Sequence, residues 1–221
     1  MVCNQVVPIF HELDIRMSLE QIFSGFHKDS IQRQIQRAEK EGLSYDAGCS
    51  DQLLDEFYSL VLITRRRHRL LPQPRAWFKN LIGCMGDKVR IRVARKDGTP
   101  ISAMLTLRHR ASVIYKYGCS DERFHNLGGM PFLFWRLIQE SKACGAGRLD
   151  FGRSDLENDG LITFKDRFGT TGKLLTYYRY PYTEKRKVAM SRSAEAARQF
   201  LFLLPDAVCS QAGKLMYRHM G

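Results

Sequence analysis

Apolar residues along this chain change their spacing several times, and each change marks an element. Val6 to Phe10 is a short apolar run that predicts an opening strand. Helical spacing follows from about Ser18 to His27, and again from about Ser30, where Ile31, Ile35 and Ala38 form one stripe. Gly42 stops that helix as a left-handed residue, with Leu43 folding back behind it. Asp51 to about Arg66 is a third helix with Leu53, Leu54, Phe57, Tyr58 and Val61 facing inward. Leu71-Pro72-Gln73-Pro74 breaks it. Pro74 then starts a further helix anchored by Trp77, Phe78, Leu81 and Ile82.

The period next drops to two. Val89–Ala94 alternates, Lys96-Asp97-Gly98-Thr99 reads as a hairpin turn, and Ile101–Leu107 is the return strand. Ser112–Tyr117 is a third strand, antiparallel to the second. The segment 131–144 is apolar on nearly every side in its first half, through Phe132, Leu133, Phe134, Trp135, Leu137 and Ile138, so it packs between layers. A strand at Arg148–Phe151, a short helix near Leu161–Phe168 and a strand at Leu174–Tyr180 complete the pattern, and 191–219 reads as a helical tail broken at Pro205. This order predicts the α/β class: one mixed, mostly antiparallel central sheet flanked by helices.

Composition narrows the function. The chain has 221 residues, 44% of them hydrophobic and 11% aromatic, which suits a packed core and excludes a disordered chain. The formal net charge of +12 points to an anionic partner: nucleic acid, a phosphate-bearing molecule or an anionic membrane surface. Cys3, Cys49, Cys84, Cys119, Cys144 and Cys209 are scattered without zinc spacing, so no metal is expected and the thiols read as reduced. No run approaches the roughly 20 apolar residues of a membrane-crossing helix. Acidic Glu12 and Asp14 replace a signal pattern, so the expected location is cytoplasmic, with peripheral attachment at the inner membrane surface as the variant.

The positive charge is clustered. Arg33, Arg37 and Lys40 share one helical stripe. Arg65, Arg66, Arg67, Arg69, Arg75 and Lys79 fall between Val61 and Lys79 with no acid among them. Such clusters are either solvated helix faces and ends or anion sites. Arg33, Arg37, Arg65, Arg66 and Arg67 are the candidate anion-binding residues.

The densest chemistry lies later. Leu149-Asp150-Phe151-Gly152-Arg153-Ser154 is a strand end opening onto a polar, glycine-containing loop, the usual place for function in α/β proteins. Gly160-Leu161-Ile162-Thr163-Phe164-Lys165-Asp166-Arg167-Phe168-Gly169 follows, with a lysine held between two phenylalanines.

Together with 31–43, Thr64-Arg65-Arg66-Arg67-His68 and Tyr115-Lys116-Tyr117-Gly118-Cys119-Ser120-Asp121, these motifs resemble the GNAT acyltransferase superfamily. The resemblance is closer to the C-terminal half of the FemAB-like proteins, which include peptidoglycan-bridge aminoacyltransferases and related acetyltransferase domains. It covers roughly residues 28–180. It implies a GNAT-like domain over 29–183, preceded by an N-terminal segment 1–28 that is the remnant of a first such domain. A basic linker with Lys185-Arg186-Lys187 and the helical tail then occupy 184–221. Members of this type usually carry two GNAT-like domains, and this chain is too short for both, so the resemblance also raises a partner chain that completes the cleft.

The activity implied is N-acyl transfer from acyl-CoA (acetyl-CoA) or aminoacyl-tRNA to an amine, on a small molecule or a cell-envelope precursor. Lys165 is implied to handle the donor, stabilising an oxyanion or a phosphate; otherwise it is a surface lysine on a short amphipathic helix. Asp150 orients or deprotonates the attacking amine; otherwise it is a loop carboxylate paired with Arg153, whose planar fork suits a carboxylate or phosphate. Tyr115 and Tyr117 flank the donor or serve as core aromatics. Asn126, Gly128 and Gly129, before the buried helix, are the nearest equivalent of a donor-phosphate loop, and equally read as a plain turn. His109 and His125 read as structural. The competing reading is a non-catalytic or half-enzyme remnant acting as an anion- or RNA-binding or interaction module. A membrane-surface protein using Lys185–Lys187 is a further alternative. No RNA-stacking motif stands out.

Overall fold

The computed structural model describes residues 3–179. In chain order its elements are β1 (Cys3–Asp14), α1 (Leu19–Ser24), α2 (Arg33–Lys40) entered through a π-helical turn at Lys28–Gln32, β2 (Ser44–Gly48), α3 (Asp51–Arg67), α4 (Arg75–Met85), β3 (Val89–Lys96), β4 (Thr99–His109), β5 (Ser112–Ser120), α5 (Gly129–Ala143), β6 (Arg148–Ser154), α6 (Asp159–Asp166) and β7 (Thr171–Arg179). Local chemistry sets several of these limits. Ser18 and Gln21 form a capping box before α1, and the Ser50 hydroxyl accepts the Leu53 N–H to start α3. Asp97 and Gly98 take φ of 49° and 79°, the two positive angles of the tight turn that joins β3 to β4.

The seven strands form one sheet in the order β2-β3-β4-β5-β6-β1-β7, antiparallel throughout except for the β5–β6 pair. β1 is longer than the predicted Val6–Phe10 run and lies inside the sheet, paired to both β6 and β7. Ile22 and Phe26 share a core with Leu133 and Phe168, so the segment 3–28 is built into the same sheet and core as the rest. The short edge strand β2 has no counterpart in the sequence prediction. The proposed linker and tail at 184–221, with Lys185–Lys187, lie outside the described residues. Among the described residues no helix is long and apolar enough to cross a membrane.

The sheet carries a core on each face. On one, the predicted stripe of Ile31, Ile35 and Ala38 meets α5 through Phe132, Leu133 and Leu137. On the other, Leu53, Leu54, Phe57, Leu60 and Val61 of α3 meet Phe78, Ile91 and Leu105. Each fully buried Leu or Phe contributes about 1.5–3 kcal/mol. The sequence expectation for α4 needs one correction. Phe78 is fully buried, but Trp77 is 45% exposed because it falls on the outer side of that helix.

Two irregularities shape the centre of the sheet. The β4–β5 register shifts so that Leu105 pairs with Tyr117 and Thr106 with Tyr115, leaving Lys116 as an extra residue. That bulge reverses the alternation. Tyr115 packs on Phe134 of α5 at 4.8 Å, while Tyr117 packs on Phe78 of α4 at 5.3 Å. The parallel β5–β6 pairing runs only from Ser112–Arg148 to Ile114–Asp150. Beyond Ile114 the two strands part.

Candidate active site

A cleft of about 610 Å³ occupies the gap where β5 and β6 separate. Its walls come from β5 (Ile114 to Cys119), β6 (Asp150 to Arg153), the end of α3 (Val61, Thr64, Arg65) and α6 (Leu161, Lys165). The structure therefore brings together Lys165, Asp150, Arg153, Tyr115, Tyr117 and Arg65 from four separate stretches of sequence.

Lys165 is only 2% exposed. Phe168 beside it is buried and Phe164 packs against the same core, which fixes α6 and drives the lysine inward. Its Nζ donates to the carbonyl oxygens of Gly152 and Arg153, each at 3.0 Å. An ammonium has three N–H donors, so one is left for whatever enters the cleft. Burial pushes the Lys165 pKa from 10.5 down to about 8, with Asp150 opposing the shift.

The two acceptor carbonyls are turned toward Lys165 by a bulge in β6. Gly152 takes φ +72°, a left-handed angle suited to glycine, at a register shift where His11 pairs with Gly152 and Glu12 with Asp150. Asp150 is half-buried and accepts the Gly152 N–H on Oδ1 at 2.5 Å. Burial, with Glu12 adding to it, raises the Asp150 pKa above the ordinary carboxylate value. The Asp150–Arg153 pair offered by the sequence does not form. Arg153 is exposed and its Nη1 donates to the Tyr177 hydroxyl at 3.2 Å.

Tyr115 depends on the bare backbone of Gly118. A Cβ at position 118 would stand 1.7 Å from the Tyr115 hydroxyl oxygen. Burial raises the Tyr115 pKa, so the hydroxyl stays protonated.

The remaining predicted residues lie elsewhere. Asn126 is exposed, Gly128 and Gly129 are buried, and none of the three lines the cleft. Gly128 (φ +73°) sits against the Gln34 carbonyl and Gly129 against Ser102, so close packing accounts for both. Arg67 is used internally. Its Nη1 donates to the Ser120 carbonyl at 3.2 Å and lies 3.3 Å from His125 Nε2, which also contacts the Ser120 hydroxyl at 2.9 Å. Arg66 is exposed and outside the cleft, Arg33 pairs with Asp29 at 2.9 Å, and Arg37 lies exposed on α2.

Two residues of the site were not anticipated. His11 is fully buried; its Nδ1 is 3.3 Å from both Asp166 Oδ1 and Thr170 Oγ1, and its Nε2 has no partner among the described residues. Burial first, then the Lys165 charge, hold its pKa below the ordinary value. The alternation of His11, Leu13 and Ile15 with Glu12, Asp14 and Arg16 was the available signal. Gln73, between two prolines, lines the cleft at 6% exposure with its Oε1 unpaired among the described residues.

Comparison with known proteins bears on the family and the fold. A family model described as an acetyltransferase (GNAT) domain matches residues 25–165. The chain is 24% identical over 169 residues to the UDP-N-acetylmuramoylpentapeptide-lysine N(6)-alanyltransferase of Weissella viridescens, covering 75% of this chain and 48% of that protein. The crystal structure of FemX superposes with a TM-score of 0.69 at 14% identity, over 88% of this chain and 64% of that one. The C-terminal domain (DUF2156) of "Putative Lysylphosphatidylglycerol Synthetase" from Agrobacterium fabrum superposes with a TM-score of 0.60 at 16% identity, over 80% of this chain and 61% of that one. The chain thus spans about half the length of the alanyltransferase it matches.

Proposed function

The chain belongs to the acetyltransferase (GNAT) domain family, and we propose that it transfers an acyl or aminoacyl group from an activated donor to an amine. The observation that carries this reading is the buried Lys165 ammonium at the wall of a cleft opened by parting strands. The amine nitrogen attacks the donor carbonyl, a C–N bond forms, and the carbonyl oxygen takes up negative charge. The free N–H of Lys165 stabilises that oxygen. Asp150, with its raised pKa, accepts the proton the amine gives up. The carbonyl re-forms as the ester oxygen or thioester sulfur leaves, taking that proton back from the Asp150 carboxyl. Gln73 Oε1 offers an acceptor to an N–H of the bound substrate.

The cleft alone accommodates acyl-CoA or aminoacyl-tRNA ends. The burial of Gly128 and Gly129 against Gln34 and Ser102 supports the aminoacyl donor, because these two glycines do not form an open cradle for a CoA pyrophosphate. The relative that acts on a muramoylpentapeptide lysine supports an amine on a cell-envelope precursor as acceptor. Since this chain spans half of that relative, a partner chain or further segment contributing to the acceptor side belongs to the proposal. A non-catalytic remnant is disfavoured. A desolvated lysine costs stability that a plain binding module has no reason to bear.

Thermal unfolding with a non-hydrolysable mimic of an aminoacylated tRNA 3′ end, and separately with acetyl-CoA, tests this. The mimic is expected to raise Tm in the wild-type chain and to do so less in Lys165→Met. No shift with either donor refutes the acyl-transfer reading; a shift with acetyl-CoA alone reverses the choice of donor.

A further inference from the structure

A second cavity, of about 330 Å³, lies at the C-terminal end of α5, away from the cleft. Strand geometry builds it. Arg90 pairs with Thr106 across β3 and β4, Arg92 pairs with Met104, and Arg108 follows Thr106 by two, so the period of two turns Arg90, Arg92, Thr106 and Arg108 to the α5 face. Lys88 joins them from the turn before β3, and Glu140, Ser141 and Cys144 close the other side.

The charges in this cavity do not balance. Arg92, 5% exposed, donates Nε and Nη2 to Glu140 Oε2 at 3.3 and 3.0 Å and Nη1 to the Thr106 hydroxyl at 2.5 Å. Tyr45 donates to the other Glu140 oxygen at 2.7 Å, so Arg92 and Glu140 satisfy each other. Arg108 Nη2 donates to the Cys144 carbonyl at 2.8 Å. No carboxylate among the described residues forms an ion pair with Lys88, Arg90 or Arg108, and Asp87 is the one remaining acid on the wall. Ser141, 4% exposed, also lines the cavity with a hydroxyl that has no partner among the described residues. Three cations gathered around one open-mouthed pocket repel one another until an anion arrives, and the Arg forks and the Lys point charge suit phosphate oxygens. The cavity exceeds a bare phosphate, and Val113, Ala143 and Ala146 give its inner part an apolar lining.

We propose that this cavity is a second, separate anion site that binds the phosphate of a small organic phosphate through Lys88, Arg90 and Arg108. The same chemistry is offered by a soluble phosphate ester and by a phospholipid headgroup, and the test separates them. Cys144 is an exposed thiol on the wall, while Cys84 is an exposed thiol that does not line it. The alkylation rate of each is read by peptide mass spectrometry on the full chain, first with inorganic pyrophosphate, then with phosphatidylglycerol vesicles against phosphatidylcholine vesicles. The proposal expects Cys144 to be protected while Cys84 is unaffected, and expects Lys88→Ala/Arg90→Ala to weaken that protection by about tenfold or more. Protection by pyrophosphate identifies a soluble phosphate; protection by the anionic vesicles alone identifies a headgroup. Unchanged Cys144 reactivity with both probes overturns the proposal. Equal slowing of Cys144 and Cys84, or full protection in the double variant, overturns it as well. Both replaced side chains are exposed, so the variant keeps its fold, which an unchanged Tm verifies.

Discussion

Lys165 Nζ stands 3.0 Å from the carbonyl oxygen of Gly152, the residue whose left-handed backbone kinks β6 where the cleft begins. This contact joins a strand irregularity to a side chain from a helix thirteen residues later. It holds the ammonium without a carboxylate, which is why burial dominates its titration. The sign of the resulting pH dependence follows. In the unfolded chain the lysine keeps its proton to about 10.5; in the folded chain it loses it near 8. Between those values the unfolded state binds more protons, so stability rises with pH. Below pH 8 the folded state bears the full cost, roughly 3 kcal/mol by the size of the shift. Denaturant unfolding of wild type and Lys165→Met is expected to show the wild type gaining stability relative to the variant from about pH 8 to about pH 10.5. A constant difference across that range argues against a depressed lysine.

The same titration governs the rate. If Lys165 acts as a cation on the carbonyl oxygen, transfer falls as pH rises through about 8. The rate profile of the wild type is expected to show that alkaline limb, and the residual rate of Lys165→Met to lack it. A rate that climbs through pH 8 in step with lysine deprotonation assigns it the role of base instead.

Gly118→Ala forces a methyl to within 1.7 Å of the Tyr115 hydroxyl oxygen and 2.7 Å of its ring carbon, and the ring is backed by Phe134. A loss of about 1–3 kcal/mol is expected. Adding Tyr115→Ala removes the clash, so the double variant loses less than the sum of the singles. A urea double-mutant cycle measures it; simple additivity contradicts the contact.

Gly128→Ala meets the Gln34 carbonyl at 2.4 Å while φ is +73°, and a backbone oxygen on a packed helix cannot swing away. The expected cost is about 3 kcal/mol or more, read as a lower Tm. A small effect would return Gly128 to the role of an open loop glycine.

Arg65 is the member of the arginine cluster that lines the cleft. Arg65→Ala is expected to raise KM for an aminoacyl-tRNA donor with little change in kcat, and to reduce the slope of log affinity against log salt by about 1. Arg33→Ala, at an exposed pair with Asp29, is the control expected to leave both unchanged.

The sequence carried most of the fold and about half of the site, and physics separates the two parts. Ile31, Ile35 and Ala38 and the apolar half of α5 were legible because each repeats on a fixed period and ends buried. β2 escaped because Ser44–Gly48 is a short edge strand whose alternation lasts only five residues and ends in glycine. Lys165 and Asp150 were legible through their motifs. Tyr115 and Tyr117 stand two apart, a spacing that puts both on one face of a regular strand, yet the bulge at Lys116 sets them on opposite sides of the sheet. A bulge shifts the phase of the alternation by one, and a strand of nine residues is too short to display that shift in its apolar pattern. Arg67 and Gly128 looked available for ligands because their partners, Ser120 and Gln34, lie 53 and 94 positions away in the chain, and composition does not record such long-range contacts.

The central claim is that Lys165 at the parting of β5 and β6 performs acyl transfer, and turnover with a matched buried substitution tests it most directly. Transfer of a radiolabelled alanyl or acetyl group from its tRNA or CoA donor to an amine-bearing envelope precursor is measured for wild type and Lys165→Met. The methionine preserves side-chain length and apolar packing, and Tm reports that the fold is intact. The account predicts transfer by the wild type and a loss of about 100-fold or more in the variant. An equal rate in the folded variant, or no transfer from either donor by the wild-type chain, contradicts it.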